Sequence, residues 1–370
     1  MSKLQASRSK PIAIWLLVGV FMIIIQIILG GITRLTDSGL SITEWKPILG
    51  AVPPTSEQQW QQAFEQYKQI AQYKNLHFYF TLSDFKSIYF WEWMHRLWGR
   101  VIGIVFLIPF LIFLIEKRFS KEMIRPMVIL FLLGGLQGLI GWLMVKSGLN
   151  DENLYVSHIR LAIHFIAALG LLVYTFWFAL QLLTPAQQRV YRPASRSFVS
   201  ALIVILVIQL IYGAFMAGLK AAPAAPTWPD INGSYGPGAY QHFGERSYSF
   251  ASALVNSPLM VHFIHRNLAY LLTLLIVVWS FARQQGTGSS AYRKVRWLPL
   301  ILVLVQVTLG VVTVLTSPHR IPQKWGAFEW NAQLHQFTAM LLLLSLVWVF
   351  FLLNRKGNTN SAGSIDPHVI

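Results

Sequence analysis

Eight stretches of about twenty predominantly apolar residues divide this chain, at approximately 11–31, 95–115, 124–145, 158–180, 198–219, 262–282, 297–316 and 332–353. Each is long enough to cross roughly 30 Å of hydrocarbon as a helix. In lipid the backbone must satisfy its own hydrogen bonds, so the runs predict eight helices and an all-α membrane protein. Composition agrees: 55% of the 370 residues are hydrophobic and 12% charged, too few charges for the surface of a soluble protein. About ten residues precede the first run, which is itself longer than the apolar core of a signal peptide. That predicts an uncleaved first span and a bacterial membrane.

A net charge of +16 suggests nucleic acid until its distribution is read. Arg8 and Lys10, Lys117 and Arg118, Arg189 and Arg192, Arg293 and Lys294, and Arg355 and Lys356 fall in alternate connections, on one side of the spans. The other connections mix signs, with Asp37, Glu44, Asp84, Asp151, Asp230 and Glu245. The positive-inside rule accounts for the charge without nucleic acid and leaves membrane lipid as the partner of the surface. It puts both termini in the cytoplasm of a cell with an inner membrane, and the long loops 32–91 and 220–261 in the periplasm. The first of these is rich in aromatics and has an amphipathic helical stretch near 56–72. A loop of that length reads as a cap or lid rather than a connector.

The two halves of the chain repeat. Met94-His95-Arg96 matches Ile264-His265-Arg266, Gln137 and Gly141 match Gln306 and Gly310, and His164 matches His335. In the first spans Gln26-x3-Gly30 matches Gln209-x3-Gly213. Each half has an even number of spans, so the halves run in the same sense. The expectation is two parallel, pseudo-symmetric four-helix bundles related by an axis along the membrane normal.

The chain has no cysteine, which excludes disulfides, iron–sulfur clusters and thiolate metal sites. Metal chemistry therefore falls to the ten histidines and a few carboxylates. One histidine at a helix end is more often an interfacial residue than a ligand. Four at matching positions weigh differently. His95 and His164, and again His265 and His335, enter paired spans from the outer side at similar depth. Two facing imidazoles without clustered carboxylates suit the iron of a b-type haem in a four-helix bundle; zinc would need further ligands. Gly134, Gly135, Gly138 and Gly141 in the third span, and Gly310 in the seventh, leave room for a flat macrocycle or for close helix packing.

The repeat breaks three residues before the first ligand of each half, where Glu92 stands in one and His262 in the other. A carboxylate on the face of a haem ligand is costly at membrane depth and serves proton transfer, or else pairs with Arg96 or Arg100 at the interface. His158 and Glu329 swap the two residue types at the start of the fourth and eighth spans. His158 and His262 stay open as alternative ligands, supporting groups or interface residues. Arg96 and Arg266, beside the ligands, are candidate contacts for haem propionates, with snorkelling to the headgroups as the competing account.

Gly30-Gly31-Ile32-Thr33-Arg34-Leu35-Thr36-Asp37-Ser38-Gly39-Leu40-Ser41, followed by Glu44-Trp45-Lys46-Pro47, resembles the opening signature of the haem A synthase family. Phe90-Trp91-Glu92-Trp93-Met94-His95-Arg96-Leu97-Trp98-Gly99-Arg100 resembles a second signature of that family, and the likeness runs from the first span to the eighth. The lack of cysteine resembles its cysteine-free branch. The resemblance implies an enzyme that oxidises a methyl group of haem O to the formyl group of haem A, for terminal oxidases. It implies a substrate haem ligated by His95 and His164 in the half 1–190, with Glu92 catalytic, and a haem b ligated by His265 and His335 in the half 191–356. It also implies a haem O synthase and an electron donor as partners; a homo-oligomer stays open, and the tail 357–370 is expected to be disordered. Two readings compete: a dihaem cytochrome that only transfers electrons, and a transporter built from parallel repeats, which would place its ionisable groups at the bilayer midplane.

Overall fold

The structure is a computed structural model that describes residues 3–45, 49–282, 289–322 and 324–353, without the side chains of 3–9 and 49. The tail 357–370 lies outside the described residues. The helices in chain order are α1 (Lys3–Leu35), α2 (Glu57–Tyr67), α3 (Leu82–Ile115), α4 (Lys121–Lys146), α5 (His158–Leu183), α6 (Pro193–Gly218), α7 (Phe250–Asn256), α8 (Pro258–Ala282), α9 (Ser290–Val295), α10 (Leu298–Thr316) and α11 (Ala327–Leu352). Among the described residues eight helices are long and apolar enough to span a membrane, built on α1, α3, α4, α5, α6, α8, α10 and α11, as the sequence predicts. The protein is a multi-pass, all-α membrane protein.

The helix ends follow from local chemistry. Ser157 caps α5 by accepting from the Arg160 N–H, and Pro193 opens α6 where its missing N–H costs nothing. The largest departure from expectation is α3, which begins at Leu82 rather than near residue 95. Thr81 and Asp84 form a reciprocal capping box there, with the Thr81 N–H donating to the Asp84 carboxylate at 2.8 Å. The extra turns carry Asp84 and Lys86 and do not read as membrane-spanning, yet they bury Phe85 and Ile88 against the cap formed by the first long loop. One continuous helix therefore joins the cap to His95.

In the first half, α1 and α4 each pack on α3 and α5, closing a ring of four. In the second, α6 and α10 each pack on α8 and α11, closing another in the same cyclic order. The seam between them is made by α5 on α6 and by α11 on α1 and α5. A continuous apolar core runs along this seam, from Ile27 and Leu172 through Leu206 to Met340 and Leu343. Helix association in lipid depends on close packing and interhelical hydrogen bonds more than on apolar burial. Gly31 supplies the first: a Cβ there would lie 2.5 Å from Gln333 Oε1. Gln336 supplies the second, donating to the Ile27 carbonyl at 2.9 Å.

The two long loops are built differently. The expected amphipathic stretch is α2, capped by Ser56, and it folds with a π-helical turn (Tyr73–His77) over a core of Leu40, Phe64, Tyr67, Phe80 and Phe85. The second outer loop is a turn-rich strap holding a two-residue hairpin, β1 (His242–Phe243) and β2 (Arg246–Ser247), before α7. Between the caps, Asp37 and Lys220 each follow the end of a seam helix with φ of 55° and 51°, in the left-handed region that ends helices. They stand in the same register to Gln26 and Gln209, and they touch: Lys220 Nζ donates to Asp37 Oδ1 at 2.6 Å.

Candidate functional site

All four predicted ligands line one cavity of about 950 Å³ that runs through both halves and under the outer caps. His265 and His335 face each other with ring centroids 6.4 Å apart and planes at 74°. One metal ion bonded at about 2 Å to each ring nitrogen places the centroids roughly 6 Å apart, so this pair fits an ion between two imidazoles. His95 and His164 line the other end of the cavity, on α3 and α5. Among the described residues no group of three or more histidines, cysteines or carboxylates is placed to hold a metal. The donor set therefore suits a haem, which brings its own equatorial nitrogens, and does not suit a bare zinc site.

Each imidazole is held by a glutamine of the preceding span, a partner that sequence reading did not assign. Gln26 Nε2 donates to the His95 carbonyl at 3.1 Å, and Gln137 Nε2 to the His164 carbonyl at 2.9 Å. Gln209 Nε2 lies 3.4 Å from His265 Nε2, and Gln306 Nε2 lies 3.2 Å from His335 Nε2. The Oε1 atoms of all four glutamines are buried without a protein partner. The signal was present in the sequence. Glutamine and glycine four residues apart occur in spans one, three, five and seven, but aligning half against half treats them as two matches rather than four.

Glu92 is 2% exposed and faces the cavity. Its Oε2 accepts from Ser41 Oγ at 2.7 Å and from the Ile42 N–H at 2.9 Å, and its Oε1 accepts from Arg96 Nε at 3.1 Å. The carboxylate is thus fixed in direction by the loop that follows α1 and by its own helix. Its counterpart His262 also lines the cavity, fully buried, and accepts from Arg266 Nε at 3.0 Å. The other swapped pair lies elsewhere. His158 donates from Nε2 to the Val255 carbonyl at 2.9 Å and packs on Phe215 across the seam. Glu329 caps α11 and accepts from Arg320 at 3.2 Å.

The two arginines beside the ligands fasten the caps. Arg96 donates to the carbonyls of Ile42 and Glu44, and Arg266 to those of Asp230 and Ala225. Leu40, Trp45 and Gln72 of the first long loop line the cavity, so that loop covers part of it. Toward the seam, Asp37 pairs with both Lys220 and Arg320. Burial alone would raise the Asp37 carboxyl, but these two cations outweigh it and hold it below its usual range. Burial pushes the Lys220 ammonium down to about 8, against the pull of Asp37.

Fold and site together define an eight-span membrane protein in which two pairs of imidazoles share one internal cavity. The chain belongs to the family of cytochrome oxidase assembly proteins, whose profile matches residues 13–347. It is similar to the heme A synthase of Flavobacterium psychrophilum, 40% identical over 92% of this chain and 97% of the relative. The heme A synthase of Rhodospirillum centenum is 41% identical over 94% of this chain and 90% of the relative. That of Bradyrhizobium diazoefficiens is 41% identical over 82% and 83%. These relatives give the electron-transfer cytochrome reading no support. No solved structure matches the chain.

Proposed function

We propose that the chain carries out the reaction of haem A synthases, oxidising a methyl group of haem O to the formyl group of haem A. The observation that carries this reading is the cavity itself, with two imidazole pairs of which only one has a buried carboxylate beside it. In the proposed division the half 1–190 holds the substrate through His95 and His164, and the half 191–356 holds a haem b through His265 and His335. The haem b supplies one-electron transfer.

The chain's own residues do the rest. The ligand pairs orient the substrate, and the cap formed by Leu40, Trp45 and Gln72 limits the access of water. Converting methyl to formyl breaks C–H bonds at the reacting carbon, so a group that can hold a proton beside that carbon is useful. Glu92 Oε1 and Oε2, aimed by Ser41, Ile42 and Arg96, receive a proton or stabilise positive charge developing at that carbon. Propionate binding by Arg96 or Arg266 requires each to exchange a loop carbonyl for a carboxylate, an exchange that charge-assisted bonding favours.

The matching contact of Asp37 with Lys220 supports parallel repeats, and the placement of basic residues supports an inner membrane with both termini cytoplasmic. A haem O synthase upstream and a separate electron donor complete the scheme. Pigment extraction after co-expression with a source of haem O tests the function. Wild type should yield haem A, whereas Glu92→Gln should keep haem b and bound haem O and lose most haem A. Full haem A production by Glu92→Gln would remove Glu92 from the mechanism, and extraction of haem b alone from wild type would sink the synthase reading.

A further inference from the structure

The four imidazoles share more than a glutamine. Each lies against the span before it at the glycine one turn beyond that glutamine: His95 at Gly30, His164 at Gly141, His265 at Gly213 and His335 at Gly310. A Cβ at these glycines would stand 3.1, 2.8, 3.3 and 2.9 Å from the imidazole Cε1, respectively. Gly31 and Gly218 are also close-packed, but against Gln333 and the stem of His158 rather than a ring of the cavity, and five further glycines in the same bundles are open. A Cβ at Gly103, Gly134, Gly135, Gly138 or Gly170 would meet nothing within 4 Å. The contact therefore marks a repeated arrangement and not a general feature of small residues in these helices.

The spacing has a physical reason. Residues i and i+4 lie on one helical face, and in a helix the carbonyl of residue i accepts from the N–H of residue i+4. A glycine at i+4 leaves that turn bare, so a ring from the next helix can reach the carbonyl of residue i. At the fourth site the contact is made: His335 Nδ1 lies 3.0 Å from the Gln306 carbonyl oxygen. An Nδ1–H donated there fixes the tautomer and the ring plane, and puts the lone pair on Nε2, where a metal would displace the Gln306 amide that now lies 3.2 Å away.

We propose that Gly30, Gly141, Gly213 and Gly310 are positioning residues for the four haem-ligating imidazoles. The unit that presents one ligand is then a helix pair, Gln-x3-Gly on the first helix and histidine on the second, used four times. This rests on the haem reading above and goes beyond it, because half-by-half symmetry does not require the two ligands of one half to be held alike.

The test uses the full-length protein purified with its haem, and reads three things: haem b retained per chain, the low-spin electron paramagnetic resonance g-values, which report the relative orientation of the two imidazole planes, and thermal stability. Gly310→Ala should lower haem b retention about tenfold or shift the g-values of what remains, since groups that orient metal ligands carry effects of that size. Gly213→Ala, with the widest gap of the four, should shift the g-values and lose less haem. Gly30→Ala and Gly141→Ala should leave the haem b signal as in wild type and weaken haem O retention, Gly141→Ala more strongly. Gly170→Ala, where the added methyl meets nothing and lies outside the cavity, should change neither spectrum.

Wild-type g-values and haem content in folded Gly310→Ala would overturn the proposal, as would a fall in thermal stability with the spectrum unchanged. If Gly310→Ala does not fold, Gly213→Ala decides in the same way. A wild-type protein that binds no haem would instead overturn the functional reading, which keeps the two failures distinct.

Discussion

The two ends of the cavity share their histidines, glutamines and close-packed glycines, and the difference that changes charge three residues before a ligand is Glu92 in one and His262 in the other. In the second half His262 accepts from Arg266, and both are buried side chains that hold a strap of loop against α8. In the first half Glu92 replaces that imidazole, and its two oxygens draw in Ser41, Ile42 and Arg96. A neutral imidazole among such neighbours does structural work at low electrostatic cost, whereas a carboxylate at the same place is retained only if something uses its charge. In the division proposed above, this difference is what sets an end that keeps its haem apart from one that acts on it. The other swapped pair, His158 and Glu329, sharpens the point by contrast. Neither side chain lines the cavity, so exchange of the same residue types there carries no catalytic asymmetry.

The strongest way to break this comparison is to remove ligands one end at a time. His265→Ala or His335→Ala should abolish retention of haem b by the purified protein, and with it haem A formation. His95→Ala or His164→Ala should leave haem b at wild-type occupancy while abolishing haem A. Absorption spectra and extracted pigments read both outcomes. Equal loss of haem b from all four variants would mean that the ends are not specialised.

The next largest effect should come from the contact where corresponding residues of the halves meet. Asp37→Asn leaves Lys220 and Arg320 partly buried without their shared anion, which should cost about 3 kcal/mol of stability, seen as a lower unfolding temperature in detergent. Exchanging the two charges, with Asp37→Lys and Lys220→Asp in one chain, should restore part of that loss. Arg320 donates to Asp37 at 3.0 Å and would then face a lysine, so the rescue stays incomplete. Complete rescue would show that Arg320 does not take part in the bridge.

Much of this was legible in the sequence, for identifiable reasons. The spans were visible because about twenty apolar residues are needed to cross lipid and little else contains them. The four histidines that line the cavity stood out because they keep their register across a repeat. The start of α3 was not, because its first turns carry Asp84 and Lys86 and pack on a cap instead of lipid. The donors to Glu92 were not, because Ser41 and Ile42 come from a loop whose path no periodicity fixes. His158 was ambiguous for a different reason: its spacing matches that of Glu92 and His262, and only the seam, where it meets the Val255 carbonyl, removes it from the site.

That assignment gives a smaller effect. His158→Ala leaves a carbonyl at the seam without its donor, which should cost about 1–2 kcal/mol. Both haem sites should keep their spectra, since the ring lies outside the cavity. A changed haem spectrum at either end would return His158 to the list of ligands.

The smallest effect concerns the caps, and it should separate them by pH. His77 is almost completely buried in the first cap, with Nδ1 2.6 Å from the Tyr67 hydroxyl and its ring stacked on Phe80 at 4.1 Å. Burial pushes this imidazole from 6.5 down to about 4, with Asp37 weakly opposing the fall and Lys220 weakly adding to it. The opened cap therefore binds a proton that the closed cap refuses between those two values. Stability from the buried neutral ring is fully present above about pH 6.5 and is lost progressively as pH falls toward 4. The second loop has no buried histidine within 220–256, where His242, on its hairpin, is exposed. Hydrogen exchange across 64–85 should thus accelerate as the medium is acidified, by up to about tenfold per pH unit beyond the intrinsic trend, as expected for uptake of one proton. Exchange across 220–256 should follow the intrinsic trend alone. His77→Gln, which has no proton to take up, should abolish the difference between the caps; if the first cap of that variant still loosens in acid, the titrating group lies elsewhere.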